Sequence, residues 1–241
     1  MSSNKFHEEI KKHALKNPKE EICGLIVLDD DKTISIIPCK NESINKKNNF
    51  IIPASKFINF KLNKHILGIY HSHPKGNECP SLPDINASKE LEIPYLIYSV
   101  YTNKFFLYYP SSYEPDNLLG RPYVKGFYEC VSLLKDYFIV KLNLNITRYY
   151  YNYWLPECSK TANKDLSNVM ESHFRIIELE NIKEHDVIVF NIRKNYRQHV
   201  GIYIGNNDFI HQPAEGTSRK QTLDNKWAKR IHNIYRHDSL V

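Results

Sequence analysis

Apolar residues in the first 110 positions follow two different periodicities. Phe6, Ile10 and Ala14 recur at the spacing of one helical face. Short apolar runs bounded by polar or turn residues predict strands at CGLIVL, TISIIPC, ILGIYHS, PYLIYSV and KFFLYYP. A second helix is predicted from about Pro53 to His65. Because helical and strand patterns are mixed here, we expect a mixed α/β unit that ends near Pro110.

The chain beyond residue 121 shows a different order, with a helix before a sheet. Val131, Leu134, Phe138 and Leu142 lie on one face of the helix predicted for ECVSLLKDYFIVKL. Three strand candidates follow as DVIVFNI, HVGIYIG and DFIHQ, and RIHNIYRH is expected to be the last strand. The pattern therefore predicts a helix packed on an antiparallel sheet.

The segment between these units has a composition of its own. Residues 111–121, SSYEPDNLLGR, combine Pro, Gly, Asp and Asn with little periodicity, which is typical of a linker. A chain of 241 residues is long enough for two domains, because one domain takes roughly 100–200 residues. We therefore predict an α+β protein with domains at residues 1–110 and 122–241.

The charge of the chain argues against a nucleic-acid partner. Lys and Arg number 33 and Asp and Glu 27, and the net charge of +6 is shared by both halves without a basic arm. The start, MSSNKFHEEIKKHALKN, has no apolar segment, so we predict no signal peptide and expect synthesis in the cytoplasm. No apolar run approaches the roughly 20 residues of a membrane span. Five cysteines at irregular spacing, without a C-x-x-C pair, argue against a disulfide framework.

The sequence GIYHSHPKGNECPSLPD, residues 68–84, has the residue types and spacing of a metal site. His71 and His73 stand two apart at the end of a predicted strand, so their side chains point to the same side. A helix that starts near PSLPD would bring Asp84 back toward both histidines. Two imidazoles and one carboxylate suit Zn²⁺, and three protein ligands leave a position for water, as in catalytic sites. Cys79 is taken as a bystander, because a fourth protein ligand would close the site.

These residues resemble the motif of the JAMM (MPN, Mov34-type) metallopeptidases. The match consists of the two histidines and Asp84, with Ser81 between them, preceded by PKEEICGLI and NESINKKNNFII. The resemblance covers about residues 1–110 and implies a zinc-dependent peptidase or isopeptidase. It also implies that Glu21 is the general base and that Ser81 supports the oxyanion or orients the water. The residues by themselves do not distinguish Glu21 from the adjacent Glu20.

The second unit contains the residue types of a thiol peptidase. Cys130 is predicted at or near the start of its helix, where exposed N–H groups and the helix dipole favour a thiolate. His199 opens HVGIYIG and His211 closes DFIHQ, so neighbouring strands joined by GNND would set the two imidazoles side by side. One would act as the base and the other would orient it. Cysteine before histidine and helix before sheet is the papain-like order.

Two segments of this unit resemble the NlpC-type cell-wall peptidases. GRPYVKGFYECVSLLKDYF is similar to their nucleophile segment, and DVIVFNIRKNYRQHVGIYIGNNDFIHQ is similar to their paired catalytic strands. The resemblance covers about residues 118–241 and implies a papain-like, NlpC-type fold. It implies that Cys130 is the nucleophile, His199 the base and His211 the orienting residue.

The same resemblance implies a role for Tyr123, and the sequence differs from the family pattern at two positions. Tyr123 matches a position that often helps the oxyanion or binds substrate in this family. Glu129 and Val131 stand where an Asp and a smaller or polar residue are commoner, and the valine affects the expected oxyanion geometry.

The order of the two predicted domains is similar to that of the tail assembly proteins of long-tailed phages, which are linked to building the tail tip. This similarity implies a protein of the phage tail that cleaves peptidoglycan stem peptides and has other tail tip proteins as partners. One alternative is a cellular isopeptidase or protein-processing enzyme in which the zinc domain does the main work. Another is a structural tail protein with silent sites, although the intact motifs argue against it.

Overall fold

The chain forms two compact units, Met1–Glu114 and Pro115–Val241. A computed structural model describes residues 5–31, 33–110, 114–115, 117–124, 127–144, 146, 170, 173–193 and 197–241. Each unit has its own sheet and core, so the predicted two-domain α+β class is confirmed. The exact domain limits and the linker remain predictions. Among the described helices, none is both long and apolar enough to cross a membrane.

The first unit is built on a five-stranded sheet in the order β2-β1-β3-β4-β5. Its described elements are α1 (Lys5–Lys16), β1 (Cys23–Leu28), β2 (Ile34–Cys39), α2 (Ala54–Asn63), β3 (His65–His73), α3 (Leu82–Leu91), β4 (Tyr95–Ser99) and β5 (Lys104–Tyr108). Neighbouring strands are antiparallel except β3 and β4. Because a parallel pair needs a crossover, α3 connects these two strands and starts close to the end of β3.

The core of the first unit lies between this sheet and helices α2 and α3. Buried strand residues meet partly buried residues of both helices. The strand residues are Cys23, Leu25, Val27, Cys39, Ile69, Tyr95 and Ile97, and the helix residues are Phe57, Phe60, Ala87 and Leu91. Burial of a large apolar side chain contributes roughly 1.5–3 kcal/mol. Phe6, Ile10 and Ala14 of α1 are also buried, which confirms the periodicity that predicted this helix.

The second unit is built on a six-stranded antiparallel sheet in the order β10-β9-β8-β7-β11-β6. Its described elements are α4 (Cys130–Leu142), β6 (Phe174–Ile177), β7 (Val187–Arg193), β8 (Arg197–Tyr203), β9 (Asp208–His211), β10 (Arg219–Thr222), α5 (Asn225–Ala228) and β11 (Ile231–His237), with short 3₁₀ turns at Leu179–Asn181 and Asp238–Leu240. The predicted helix, the three consecutive strands and the last strand are all present.

The two faces of this sheet bury different side chains. One face packs against α4 and includes Val187, Val189, Val200, Ile202 and Ile210. The other face includes Ile188, Phe190, Phe209 and Ile234, with Trp227 of α5 packed against them. Alternation along β8 therefore sends Val200 toward α4 and its neighbours His199 and Gly201 toward Phe190 and Phe209.

The apolar pattern did not predict strands β6 and β10. Each is four residues long, and β10 has the sequence RKQT without an apolar residue. Both form because their backbones pair with a neighbouring strand, β6 with β11 and β10 with β9. Their existence depends on backbone hydrogen bonding, which leaves no mark in apolar periodicity.

A buried ion pair joins Asp186, the residue before β7, to Arg236 of β11. Arg236 Nε and Nη2 donate to the two carboxylate oxygens of Asp186 at 2.8 and 2.7 Å. The Lys183 amide also donates to Asp186, at 2.7 Å. Asp186 is completely buried, so its charge is stabilised by these hydrogen bonds and not by water.

We expect Asp186→Asn to lower the free energy of unfolding by about 3–5 kcal/mol, because it leaves the Arg236 charge uncompensated. Asp238→Asn is the control, since Asp238 pairs with Arg175 at 3.5 Å and both side chains are at least half exposed. That change should cost less than about 1 kcal/mol. Urea denaturation followed by tryptophan fluorescence measures both, because Trp227 contacts the core of this unit. Equal losses in the two variants would contradict this account.

Candidate active sites

Strand pairing in the first unit sets the position of both predicted histidines. His71 and His73 lie at the end of β3, and β1 pairs with β3 so that Cys23 lies opposite His71. The pairing continues past the start of β1, where the Ser72 amide donates to a backbone carbonyl at 3.0 Å. Continuing this antiparallel register by two residues places Glu21 opposite His73.

The structure brings His71, His73 and Asp84 into one compact group. The two Nε2 atoms are 3.1 Å apart. Asp84 Oδ1 lies 3.2 Å from His71 Nε2, and Asp84 Oδ2 lies 3.5 Å from His73 Nε2. One candidate ligand atom from each residue lies within 4.8 Å of the others. The spacing along the sequence therefore corresponds to a real convergence of ligand atoms.

A backbone carbonyl fixes the tautomer of His73. Its Nδ1 lies 2.7 Å from Asn77 O. Because a carbonyl only accepts hydrogen bonds, Nδ1 carries a proton, and Nε2, which faces Asp84, is the nitrogen that would release its proton to bind a metal ion. A partner of this kind commonly orients histidine ligands. Residue types do not predict this contact, since it uses the backbone carbonyl of Asn77 and not its side chain.

His71 is held by packing. It is completely buried, and its ring stacks on Phe50 with the ring centroids 4.6 Å apart. Its Nδ1 is buried and has no hydrogen-bond partner within the described residues. The ring therefore has little freedom to turn away from Asp84.

The start of α3 positions Asp84. Ser81 caps the helix, and the Ser81 amide and hydroxyl donate to Asp84 Oδ2 at 2.8 and 2.5 Å. This capping box leaves Asp84 Oδ1 directed at His71. Burial alone would raise the pKa of Asp84, but hydrogen bonds from His71 and His73 outweigh it and hold the pKa well below its usual range. Asp84 is therefore a carboxylate near neutral pH.

Glu21 is buried beside this group, whereas Glu20 is exposed. Burial raises the pKa of Glu21 to about 7, with His73 opposing the rise and Asp84 adding to it. The Asn41 side chain donates to Glu21 O at 2.8 Å and also bonds to three backbone groups of the following loop. Asn41 thus fixes the backbone of Glu21, a role that residue type alone did not reveal.

The donor set of this group fits a zinc ion. Two imidazole nitrogens and one carboxylate oxygen are the ligands of catalytic zinc sites with an open position. Asn77 O holds a proton on His73 Nδ1, so Nε2 is the nitrogen left to bind the ion. Cys79 is exposed and lies outside the group.

A hydrogen bond joins the two predicted histidines of the second unit. Gly201 of β8 lies opposite His211 of β9, and His199 Nε2 is 2.7 Å from His211 Nδ1. Both imidazoles are buried. Burial, with His211 nearby, lowers the pKa of His199 to about 3. Burial, with the Arg219 charge nearby, lowers the pKa of His211 to about 4, so both are neutral near pH 7.

Cys130 begins α4, as predicted, but its thiol is not prepared as a thiolate. Burial raises the pKa of Cys130 to about 12, and the charge of Glu129 adds to the rise. Backbone N–H groups of Val200, Val131 and Cys130 itself favour the anion, but desolvation outweighs them. The expectation of a thiolate from the helix terminus was therefore wrong for this resting structure.

The Cys130 thiol lies near the strand that carries His199 but forms no hydrogen bond with His199 or His211 in the described part of the chain. The sulfur of Cys130 lies against the Val200 backbone, one residue along β8 from His199. Within the described part of the chain, no hydrogen bond connects Cys130 to His199 or His211. The structure thus brings the two histidines together and places the predicted nucleophile beside the strand that carries one of them.

The other positions compared with the NlpC-type family are Tyr123, Glu129 and Val131, and each has contacts within the second unit. The Tyr123 amide donates to Gly216 O at 3.2 Å, in the loop between β9 and β10. Glu129 forms a capping box with Ser132 at the start of α4, and Val131 is buried in the core. The oxyanion or substrate role of Tyr123 remains a prediction.

Trp227 lies next to the histidine pair and was not singled out from the sequence. Its ring meets His211 edge-on, with the centroids 5.2 Å apart. It also contacts Phe190 and Phe209. A tryptophan on a short helix carries no sequence signal for this position, because the fold of the α5 segment over β8 and β9 brings it there.

We expect the second unit to lose stability as the pH falls from about 6.5 toward 4, because an unfolded histidine has a pKa near 6.5. The folded His199 and His211 bind protons only near pH 3 and 4, so the unfolded chain binds more protons in this interval and acid favours unfolding. The stabilisation is fully present above pH 6.5. Between pH 7 and 5, each histidine should account for about 1–2 kcal/mol of the decrease.

Urea denaturation of His199→Gln at both pH values tests this expectation, and the variant should show a smaller decrease than the wild type. His232→Gln is the control, because His232 is exposed. An unchanged pH dependence in His199→Gln would contradict the assignment.

Comparisons with known proteins match both units to families. Residues 3–109 match the model of prokaryotic homologues of the JAB domain, and residues 120–236 match the NlpC/P60 family. A solved solution structure of a protein from Desulfitobacterium hafniense is 26% identical, with a TM-score of 0.35, over 43% of this chain and 80% of that one. Another, from Salinibacter ruber, is 20% identical, with a TM-score of 0.30, over 43% of this chain and 76% of that one.

Two curated relatives are similar to this chain over most of its length. Tail tip assembly protein K of Escherichia phage N15 is 24% identical over 230 residues, which are 95% of this chain and 93% of that protein. The protein of the same name from Escherichia phage lambda is 23% identical over 173 residues, which are 71% of this chain and 82% of that protein. The chain therefore combines a JAB-type domain with an NlpC/P60 domain and is a homologue of the tail tip assembly proteins K.

Proposed function

We propose that the second unit is a peptidoglycan endopeptidase that cleaves stem peptides with Cys130, His199 and His211. The hydrogen bond between the two histidines carries the proposal, because it provides an oriented, neutral imidazole beside the strand position that contacts Cys130. The match of residues 120–236 to the NlpC/P60 family supports peptidase activity.

The hydrogen bond also suggests which nitrogen acts as the base. If His199 Nε2–H donates to His211 Nδ1, the lone pair of His199 is on Nδ1. Nδ1 would take the proton of the Cys130 thiol as the sulfur attacks the substrate carbonyl carbon, and would return it to the leaving amine. Water would then hydrolyse the thioester. Because the resting thiol is neutral, proton transfer should accompany the attack.

The first unit has a second candidate function, a zinc-dependent peptidase or isopeptidase. His71, His73 and Asp84 favour it, since they would hold the ion. Bound Zn²⁺ would supply a water of lowered pKa at the open position. Glu21, buried opposite His73, would accept a proton as the general base. Ser81 orients Asp84 through its hydroxyl and would support the oxyanion or the water.

Similarity to the two proteins K supports a place in the phage tail. It extends over 95% of this chain for the phage N15 protein, so it includes both units. We infer that the chain takes part in tail tip assembly with other tail tip proteins and acts on the peptidoglycan of the host. A cellular isopeptidase would cleave peptide conjugates without cleaving stem peptides, and a silent structural protein would cleave neither.

Zinc content should separate the ligands from the base. We expect about one zinc per chain after expression with zinc, and its loss in His73→Ala. Glu21→Gln should retain the ion but lose hydrolysis by the first unit, because an amide does not take a proton from water. Glu20→Gln and Cys79→Ala are controls at exposed positions and should match the wild type. Metal analysis that finds no zinc in the wild type would reject the site.

Cleavage of stem peptides should depend on the thiol and not on metal. Cys130→Ala should reduce the rate by about 10³-fold or more, while His73→Ala and a chelator should leave it unchanged. His211→Ala should cost less than His199→Ala, since an orienting group does not itself take the proton. Alkylation should inactivate a Cys79→Ala protein, which lacks the exposed thiol at position 79. Mass analysis of products measures each rate, and cleavage that needs zinc or persists in Cys130→Ala would show that the roles are wrong.

A further inference from the structure

A cation lies on the same face of the sheet as the two histidines of the second unit. Arg219 of β10 pairs directly opposite His211 of β9, so the two side chains share one face of the sheet. His211 in turn bonds to His199 of β8 on that face. Three neighbouring strands therefore carry an arginine and two histidines on one face, with His199 two residues along β8 from Gly201, the partner of His211.

The guanidinium of Arg219 lies beside the loop between β9 and β10, which contacts Tyr123. The Cβ that an alanine would have at position 216 would lie 3.5 Å from Arg219 Nη1, so the guanidinium lies over Gly216. Gly216 O accepts the hydrogen bond from the Tyr123 amide. The Arg219 charge thus lies beside the loop held by Tyr123, on the strand that pairs with His211. Its effect on the pKa of His211, second to burial, agrees with this proximity.

The charge of Arg219 is available to a ligand. The side chain is exposed, and among the ion pairs of the described residues none includes Arg219. The next residue, Lys220, contrasts with it, because Lys220 points to the other face and pairs with Asp208 at 3.0 Å. Within the described residues, Lys220 of β10 is therefore paired with a carboxylate, whereas Arg219, beside the histidines, is not.

We propose that Arg219 is a specificity residue that binds a carboxylate of an acidic peptide substrate. The planar guanidinium forms paired hydrogen bonds with a carboxylate. Stem peptides carry a free carboxylate next to the γ-linked D-glutamate bond, so this substrate class meets the requirement. The cleavage part of the inference rests on the proposed function, whereas carboxylate binding does not.

Two stem peptides that are identical except for this carboxylate, free in one and amidated in the other, provide the test. The wild type should cleave the free acid with about tenfold higher kcat/KM, mainly through KM, because one charged hydrogen-bonded contact is lost with the amide. Arg219→Gln should remove the preference by weakening only the acid peptide. Lys220→Gln should keep the wild-type preference. Added salt should reduce it, since the contact is exposed.

Binding to Cys130→Ala separates this inference from the cleavage that it assumes. Calorimetry should give about tenfold tighter binding of the acid peptide in Cys130→Ala, and equal binding of both peptides in Cys130→Ala/Arg219→Gln. Equal binding of both peptides to Cys130→Ala would overturn the inference even if the wild type cleaves them. An Arg219-dependent preference without any cleavage by the wild type would support it and overturn the proposed function.

Discussion

The register between neighbouring strands determines the geometry of both candidate sites. In the first unit, pairing of β1 with β3 sets Cys23 opposite His71 and so brings Glu21 toward His73, and in the second, pairing of β8 with β9 brings His199 to 2.7 Å from His211. A shift of one residue would move each of these side chains to the other face of its sheet. The apolar residues between them prevent such a shift, because it would expose the core. Core packing and site geometry are thus fixed by the same hydrogen bonds.

Both units bury titratable groups, which stabilises specific protonation states. In the second unit burial keeps the histidine pair neutral and the Cys130 thiol protonated. In the first unit it raises the pKa of Glu21, while the two histidine contacts keep Asp84 ionised. Desolvation penalises the charged form in each case, and only a direct hydrogen-bonded partner reverses it. The sites therefore differ in how much charge they hold at rest.

Each candidate site also contains a residue from the first turn of a helix. Asp84 belongs to the capping box of α3 and also reaches the two histidines of β3. Cys130 opens α4 against the backbone of β8. In each unit the first turn of a helix, closed by its own capping box, meets a strand of the sheet on which it packs. This arrangement allows one short segment to serve the fold and the site together.

The sequence by itself determined the α+β class, the strands with apolar cores and the local motifs at residues 71–84 and 199–211. Those features depend on periodicity and on residues close in the chain, which the sequence displays directly. Only the tertiary structure decided that Glu21 and not Glu20 is buried beside His73, that β10 exists, and that Arg219 lies opposite His211. It also reversed the expected thiolate, since desolvation depends on every neighbour of the sulfur. Burial and contacts between distant strands arise from the whole fold, so no local pattern of residues encodes them.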